Sequence, residues 1–462
     1  MRIVVVGAGI GGLALALLLP AAGHDVTVLD ADPAPAHPGP EEAWAAWRRP
    51  GVAQFRQIHL FNARGRAVLR ERLPAVLDAV RAAGAGEILL GGPGDDELVR
   101  LTCRRTTFEW AMRRVAEADG RARVVPSTTV AGLLGDRGRV TGVRTAAGED
   151  AAADLVVDAS GRASALPAWL AALGAEPPTH RRSDGGTVSF TRWYRLRSEA
   201  SATLGRADLG YAVGVVAPAD AGVFCLTFGC LAEDATMRAL RGEAGFHAAV
   251  GAVPLLAAWA DPDRSEVLGP VLSMADRANR LTVAARPTAG VVALGDAAMC
   301  TNPGYGRGVG LALVHAACLV DALDAVGDAG DAPLAVAASF AEATARELEP
   351  WFHAAVAADR VRLAIGRRLL AGERWEAVGG PGDDPAVRFA RGAPAAGQRD
   401  PVVARAFQRA FQLLDPPSAY WGNPEIEARV EAVWRTLDRD PPPAPGPDHE
   451  AMADLLGRTP LT

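Results

Sequence analysis

The sequence predicts an α/β protein in which a Rossmann-like nucleotide-binding domain carries an inserted, mostly antiparallel β-sheet domain and ends in a C-terminal helical region. Three observations predict it. The chain opens on the strand, loop and helix pattern RIVVVGAGIGGLALALLL (2–19), alternating strand-like runs fill 186–230, and a second strand, glycine loop and helix, GVVALGDAAMCTNPGYGRGVGLA, returns at 290–312.

The opening stretch has the basic start and apolar centre of a secretion signal. No small-x-small cleavage site follows it, however, and His24, Asp25 and Asp30 come soon after. At about 17 residues it is also short for a membrane span of roughly 20. Its glycines instead show G-x-G-x-x-G spacing. Gly7 permits a tight turn, Gly9 lets the backbone approach a pyrophosphate, and Gly12 lets the helix pack closely on the strand. The helix N-terminus offers N–H groups and a positive dipole end to phosphates. A second strand, DVTVLD, ends at Asp30, eighteen residues past Gly12, where a carboxylate accepts hydrogen bonds from a ribose and disfavours a 2′-phosphate. Pro20 is expected to kink or shorten the helix in its last turns. On this motif alone FAD and NAD both fit.

A chain of 462 residues has room for roughly two or three domains. The net charge of −6 leaves no basic footprint for nucleic acid, and nothing beyond the opening run is expected to approach a membrane span. Cys103, Cys225, Cys230, Cys300 and Cys318 form no C-x-x-C pair and no zinc pattern, so no metal site is expected and free thiols in a reducing cytoplasm are. The chain contains no lysine; every fixed positive side chain is an arginine.

After Asp30 come a proline-rich loop, ADPAPAHPGPEEA, and helices around 61–84. In RLTCRRTTFEWAMRRVAEADG, Phe108, Met112 and Val115 recur at helical spacing, which puts Arg105 near a helix start. Turn residues in GDRGR and AAGED predict a meander of strands at 128–134, 139–145 and 154–158. GTVSFTRWYRLR, LGYAVGVVAP and GVFCLTFGC, with VLGPVLSM and RLTVAAR, predict the antiparallel sheet, in which Phe190, Trp193, Tyr194 and Tyr211 pack first and line a pocket second. From 336 onward helices are expected, broken by Pro350 and a loose stretch at 376–401, with a linker at 440–450 before a short last helix. Trp421 either covers the pocket or packs the tail.

The segment 290–312 decides between the cofactors. A buried strand ends at Gly295 and Asp296, a loop bearing Pro303, Gly304, Gly306 and Gly308 follows, and a helix begins. Such a helix start favours negative charge, and a reduced flavin carries negative charge around N1 and C2=O. Asp296 is more economically a cofactor ligand than a simple helix cap, and Cys300 beside it is read as small-residue filling.

Three motifs in this order make the sequence resemble the FAD-dependent monooxygenases of the aromatic-hydroxylase (class A) type, with their epoxidase-like and halogenase-like branches. The motifs are the opening fingerprint with Asp30, DLVVDASGRAS with Asp158 and Gly161, and GDAAMCTNPGYGRGVG with Asp296, Pro303, Gly306 and Gly308. The family's D-G pair is here separated by Ala159 and Ser160, a spacing the resemblance associates with the epoxidase-like and prenyl-reductase-like branches. The resemblance places Asp296 at the ribityl and pyrophosphate region and Pro303 through Gly308 at the isoalloxazine edge. It makes Arg105 a phosphate contact, puts Arg48 or Arg49 near the flavin, and leaves Gln57 and His59 nearby, with His59 the one candidate acid or base.

The resemblance implies domains at 1–180 and 287–345 (the two parts of the FAD-binding domain), 181–286 (substrate sheet) and 346–462 (C-terminal helices). It also implies that NADH or NADPH, binding transiently, reduces FAD, and that O2 forms a C4a-hydroperoxide that hydroxylates or epoxidises a hydrophobic aromatic or polyketide-like molecule in specialised metabolism. A partner flavin reductase is the alternative source of electrons. A halogenase reading lacks its lysine and its W-x-W-x-I-P segment, and an ene reductase of the prenyl-reductase type lacks a Tyr-x-Trp run. A non-catalytic flavin-binding protein is the reading from another class.

Overall fold

The computed structural model describes all residues except 34–36, 93, 199–201, 276–277, 328–331, 438–444 and 459–462. Its centre is a five-stranded parallel sheet in the spatial order Val291–Ala293, Leu155–Asp158, Arg2–Val6, Asp25–Leu29, Arg123–Val125. The run RIVVV is buried at four consecutive positions rather than at alternate ones, as a parallel strand covered on both faces requires. The fingerprint helix Ile10–Ala21 packs on this sheet and stops one residue after Pro20.

A second, six-stranded sheet is antiparallel at every pairing and is built on the long strand Thr187–Leu196, which pairs with Val223–Leu231, Ser265–Val267 and Leu272–Met274. Phe190, Tyr194 and Tyr211 are buried in its core with Phe224 and Phe228, and Ile365, Leu369 and the last helix, His449–Gly457, close that core from the C-terminal side. Trp193 lies on the opposite face, where its ring N–H donates to the Arg56 carbonyl at 2.8 Å.

Four expectations are corrected. The meander exists, but its third strand is Asp150–Ala152; the run LVVD at 155–158, buried at all four positions, pairs on both sides with parallel strands. RLTVAAR joins a separate three-stranded sheet, where Asn279–Val283 lies between Thr179–Ser183 and Met299–Cys300, so the flavin-type motif and the inserted domain are tied by one small sheet. The loose stretch holds a helix, Pro385–Arg399, whose interior Pro394 masked its period. Finally, the helix Gly308–Val326 is long and apolar enough to cross a membrane, with a mean hydropathy of 1.8, yet 61% of that window is buried within the fold. It packs among the helices Ile10–Ala21, Ala63–Arg72 and Ala332–Glu347, which identifies it as a core helix. The first part of the 440–450 linker lies outside the described residues, and Pro350 sits in the first turn of Glu349–Leu370, where its missing N–H costs nothing.

Candidate active site

The three motifs meet at one cleft of ≈ 480 Å³, lined by Gly7, Gly9, Asp30, Arg49, His59, Arg105, Gly161, Asp296, Pro303, Gly306 and Gly308. It lies at the C-terminal ends of the parallel strands, where ligands bind in open α/β sheets. Gly12 and Asp158 are not among its lining residues.

The glycines divide by task. Gly7 has φ +104°, and a Cβ there would meet the Ala159 carbonyl oxygen at 2.7 Å. A Cβ at Gly12 would lie 1.9 Å from the Gly7 carbonyl oxygen, so Gly12 sets how closely helix and strand approach. A Cβ at Gly9 would meet nothing within 4 Å, because that position faces the open cleft. No side chain caps this helix and no acid occupies its first turn, so its N–H groups are left for a ligand. The helix Gly308–Val326 also starts at the cleft without a side-chain cap or a first-turn acid.

Between the two helix starts runs a buried ion network. Arg49 donates to Asp32 at 2.7 Å and to Glu109 at 2.6 Å, and reaches Asp30 at 3.3 Å. Arg113 also pairs with Asp30, and Arg105 donates to Glu109 at 2.5 Å. Burial opposes ionisation of Glu109, but Arg105 and Arg49 together hold its carboxyl down to about 2. Burial likewise works against the Arg49 charge, and Glu109 and Asp30 raise its pKa above the usual arginine value. Asp30 therefore lines the cleft with its side chain already oriented by two arginines. Of the neighbouring pair, Arg48 bonds the carbonyls of Ala45 and Trp47, and Arg49 is the one that lines the cleft.

His59 sits at 2.9 Å (Nδ1) from the Gln57 carbonyl oxygen and at 3.3 Å (Nε2) from Arg105. Burial, then the Arg105 charge, pushes it down to about 3. The ring is thus neutral at physiological pH, with Nδ1–H donating to the carbonyl and Nε2 accepting from Arg105. This is an orienting geometry rather than that of a proton shuttle. Because its folded pKa lies below the ordinary 6.5, its contribution to stability is complete above 6.5 and is lost as pH falls toward 3. Urea unfolding between pH 7.5 and 5 is expected to show falling stability, and His59→Gln to make that fall shallower.

Asp158 is fully buried behind the cleft wall and accepts from the Ser160 backbone N–H at 3.1 Å and from the Ser160 and Ser164 hydroxyls. It shapes the turn that puts Gly161 (φ +82°) and Arg162 at the cleft. Asp296 lines the cleft directly; burial raises its carboxyl, and Arg162, Arg105 and Arg280 work against that shift. Among the described residues no group donates a hydrogen bond to its carboxylate, so it is free to receive one from a bound hydroxyl. Cys300 is buried on its small strand, as filling requires. Trp421 packs against both the Trp351 cluster and the tail cluster.

Sequence reasoning missed Glu109 and His315. Glu109 had a signal, its i, i+4 spacing from Arg105 on one helix face. His315, fully buried, accepts the Gly295 N–H at 3.1 Å through Nδ1, faces the Thr344 hydroxyl at 2.9 Å through Nε2, and stacks on Phe340 at 4.4 Å. It holds the turn that presents Asp296, and no local pattern announces it.

These features fit FAD: two uncapped helix starts, a glycine whose missing side chain opens the cleft, arginines at one end and an acceptor carboxylate for a ribose or ribityl chain. The comparisons agree. Residues 2–92 match the FAD-dependent oxidoreductase family model and residues 102–176 the tryptophan halogenase model. The chain is 29% identical over 454 residues to Protein Rv3254 of Mycobacterium tuberculosis, with 89% of each covered. Among solved structures it is similar to PqsL, a probable FAD-dependent monooxygenase from Pseudomonas aeruginosa, at 20% identity and TM-score 0.58, with 80% of this chain and 98% of that one covered. It is also similar to OxyS, the anhydrotetracycline hydroxylase from Streptomyces rimosus, at 19% identity and TM-score 0.58, with 90% and 76% covered. The chain has the fold of the flavoprotein monooxygenases and their halogenase relatives, and its residues 2–92 carry the match to the FAD-dependent oxidoreductase model.

Proposed function

We propose that this protein is a monooxygenase that uses reducing equivalents from NADH or NADPH, and O2, to hydroxylate or epoxidise a hydrophobic aromatic or polyketide-like small molecule. The observation that carries the reading is the convergence of the fingerprint, the Gly161 turn and the 303–308 loop on one cleft that continues toward the inserted sheet through Met274, Met299, Leu311 and Leu348. FAD, when bound, supplies the redox chemistry and the activation of oxygen. The protein binds, orients and excludes water. Arg49 and Arg105 would meet the phosphates, Asp30 and Asp296 the hydroxyls, and the start of Gly308–Val326 the negative end of the reduced ring. His59 positions Arg105. The apolar residues at the sheet end exclude water and suit an apolar substrate. The small-molecule ligand of PqsL, 2-aminobenzoylacetate, and the anhydrotetracycline named for OxyS support a substrate of that class. The chain has no second G-x-G-x-x-G for a resident nicotinamide nucleotide, so the donor binds transiently or a partner reductase supplies the electrons.

The test is anaerobic reduction of the purified holoenzyme followed by rapid mixing with oxygenated buffer. A spectral species distinct from both oxidised and reduced flavin, preceding reoxidation, is expected. Direct reoxidation without it, across a panel of polycyclic ligands, would favour the ene-reductase reading, which shares the Asp158 to Gly161 spacing.

A further inference from the structure

The loop that carries Pro303 through Gly308 is held from behind by the C-terminal helical region. Asp359, on the helix Glu349–Leu370, is 1% exposed and lies at the junction of four chain segments. Its Oδ2 accepts from the Asn279 amide at 2.6 Å. Its Oδ1 accepts from the Asn302 amide at 3.1 Å, from the Tyr305 hydroxyl at 2.6 Å and from Arg362. The two asparagines are interlocked: the Asn279 side-chain oxygen accepts the Asn302 backbone N–H at 2.7 Å, and the Asn302 side-chain oxygen accepts the Gly304 N–H at 3.0 Å. The Asn302 amide also reaches the Thr187 hydroxyl at 3.4 Å, where the long strand of the inserted sheet begins.

Beside this cluster, the buried Arg307 guanidinium is held by rings rather than by acids. Its carbon lies 4.9 Å from the Tyr305 ring centre, 4.8 Å from that of Trp351 and 5.6 Å from that of Trp421. Trp351 and Trp421 belong to the C-terminal region. The short segment 302–307 is therefore bound at Asn302 and Tyr305 by one carboxylate and at Arg307 by an aromatic box, while Pro303 and Gly306 face the cleft on the other side.

We infer that Asp359 is a positioning residue for the flavin: through Asn302 and Tyr305 it fixes the loop that meets the ring system, and couples that loop to the helices of residues 349–437. The inference rests on the reading that this loop meets the flavin. Every group around Asp359 is a donor, so an amide in its place is mismatched. An asparagine keeps its oxygen toward the three donors at Oδ1 only by turning its NH2 against the Asn279 amide, which cannot rotate without losing the Asn302 N–H. The loop then loses an anchor although the residue's volume is unchanged.

The experiment compares wild type, Asp359→Asn, Tyr305→Phe, the double variant and Leu456→Ala, the last on the terminal helix away from the loop. Each apoprotein is titrated with FAD, and the visible circular dichroism of the bound flavin and the Tm are recorded. Asp359→Asn is expected to weaken FAD binding about tenfold and to change the flavin dichroism, Tyr305→Phe to weaken binding about threefold, and the double variant to be no weaker than Asp359→Asn. Leu456→Ala is expected to lower the Tm while leaving affinity and dichroism as in wild type. Wild-type affinity and dichroism in Asp359→Asn would overturn the inference; should that variant not fold, the same result in Tyr305→Phe would do so. Wild-type apoprotein that takes up no FAD overturns the flavin reading itself, a result separable from a variant that behaves as wild type.

Discussion

Gly12→Ala is expected to abolish FAD binding, whereas Gly9→Ala is expected to abolish it without disturbing the fold. A methyl group at Gly12 would lie 1.9 Å from the Gly7 carbonyl oxygen and 3.0 Å from its carbon, and neither backbone atom can rotate away. Relief requires the helix to move off the first strand. That costs on the order of 3 kcal/mol, near the upper end for overpacking, and displaces the N–H groups that would cradle the pyrophosphate. A methyl at Gly9 has no protein atom within 4 Å, so the chain folds normally and the methyl projects into the space the ligand needs. Purified variants should show equal loss of flavin absorbance, with a lowered Tm in Gly12→Ala alone. Flavin retained by Gly12→Ala would show that the helix start is not the phosphate site.

Arg49→Met is expected to destabilise the protein by about 3–5 kcal/mol near pH 8, because it removes the shared partner of three acids and leaves Glu109 buried with only Arg105. The side chains of Glu109 and Asp30 are 0% and 6% exposed, so water cannot replace the guanidinium. The pH dependence gives the result its signature. In wild type the Glu109 carboxyl, held at about 2 against an ordinary 4.5, contributes stability that is present above 4.5 and lost as pH falls toward 2. Without Arg49 that depression shrinks, and Glu109 takes up its proton at a higher pH than in wild type. The deficit of Arg49→Met relative to wild type should therefore hold steady from pH 8 to 5 and narrow as pH falls below 4.5, as read by urea unfolding. A deficit that does not change with pH would mean that lost packing, rather than unpaired charge, dominates.

The parts of the site legible in the sequence are those built from consecutive residues. A tight turn, a helix start and an acid at a strand end leave signatures within some thirty residues, so Gly7, Gly9, Asp30 and the 303–308 loop could be read directly, and the structure brings them to one cleft. His315 and Asp359 could not be read. Each acts on a segment 20 to 80 residues away, through contacts that only the tertiary fold creates. A buried histidine on an apolar helix has the same local pattern whether it holds Gly295 or nothing. The strand errors have a similar cause: LVVD at 155–158 follows the three meander strands closely, and only its unbroken burial shows that it belongs to the parallel sheet. The helix Pro385–Arg399 was hidden by Gly392 and Pro394, which its neighbours tolerate.

The parallel sheet's last strand, Val291–Ala293, joins beside Leu155–Asp158, and the core helix Gly308–Val326 completes the layer against the fingerprint helix. During synthesis this order imposes a wait. The first strand and its glycines are synthesised nearly 300 residues before the edge strand Val291–Ala293, which lies two strands away across the sheet, and translation runs at roughly 5–20 residues per second. A nascent chain halted before Val291 holds the fingerprint turn without the 303–308 loop, and its apolar helix Ile10–Ala21 lacks the cover that Gly308–Val326 gives it. The cleft is thus complete only once the later part of the chain has been made and the edge strand has docked.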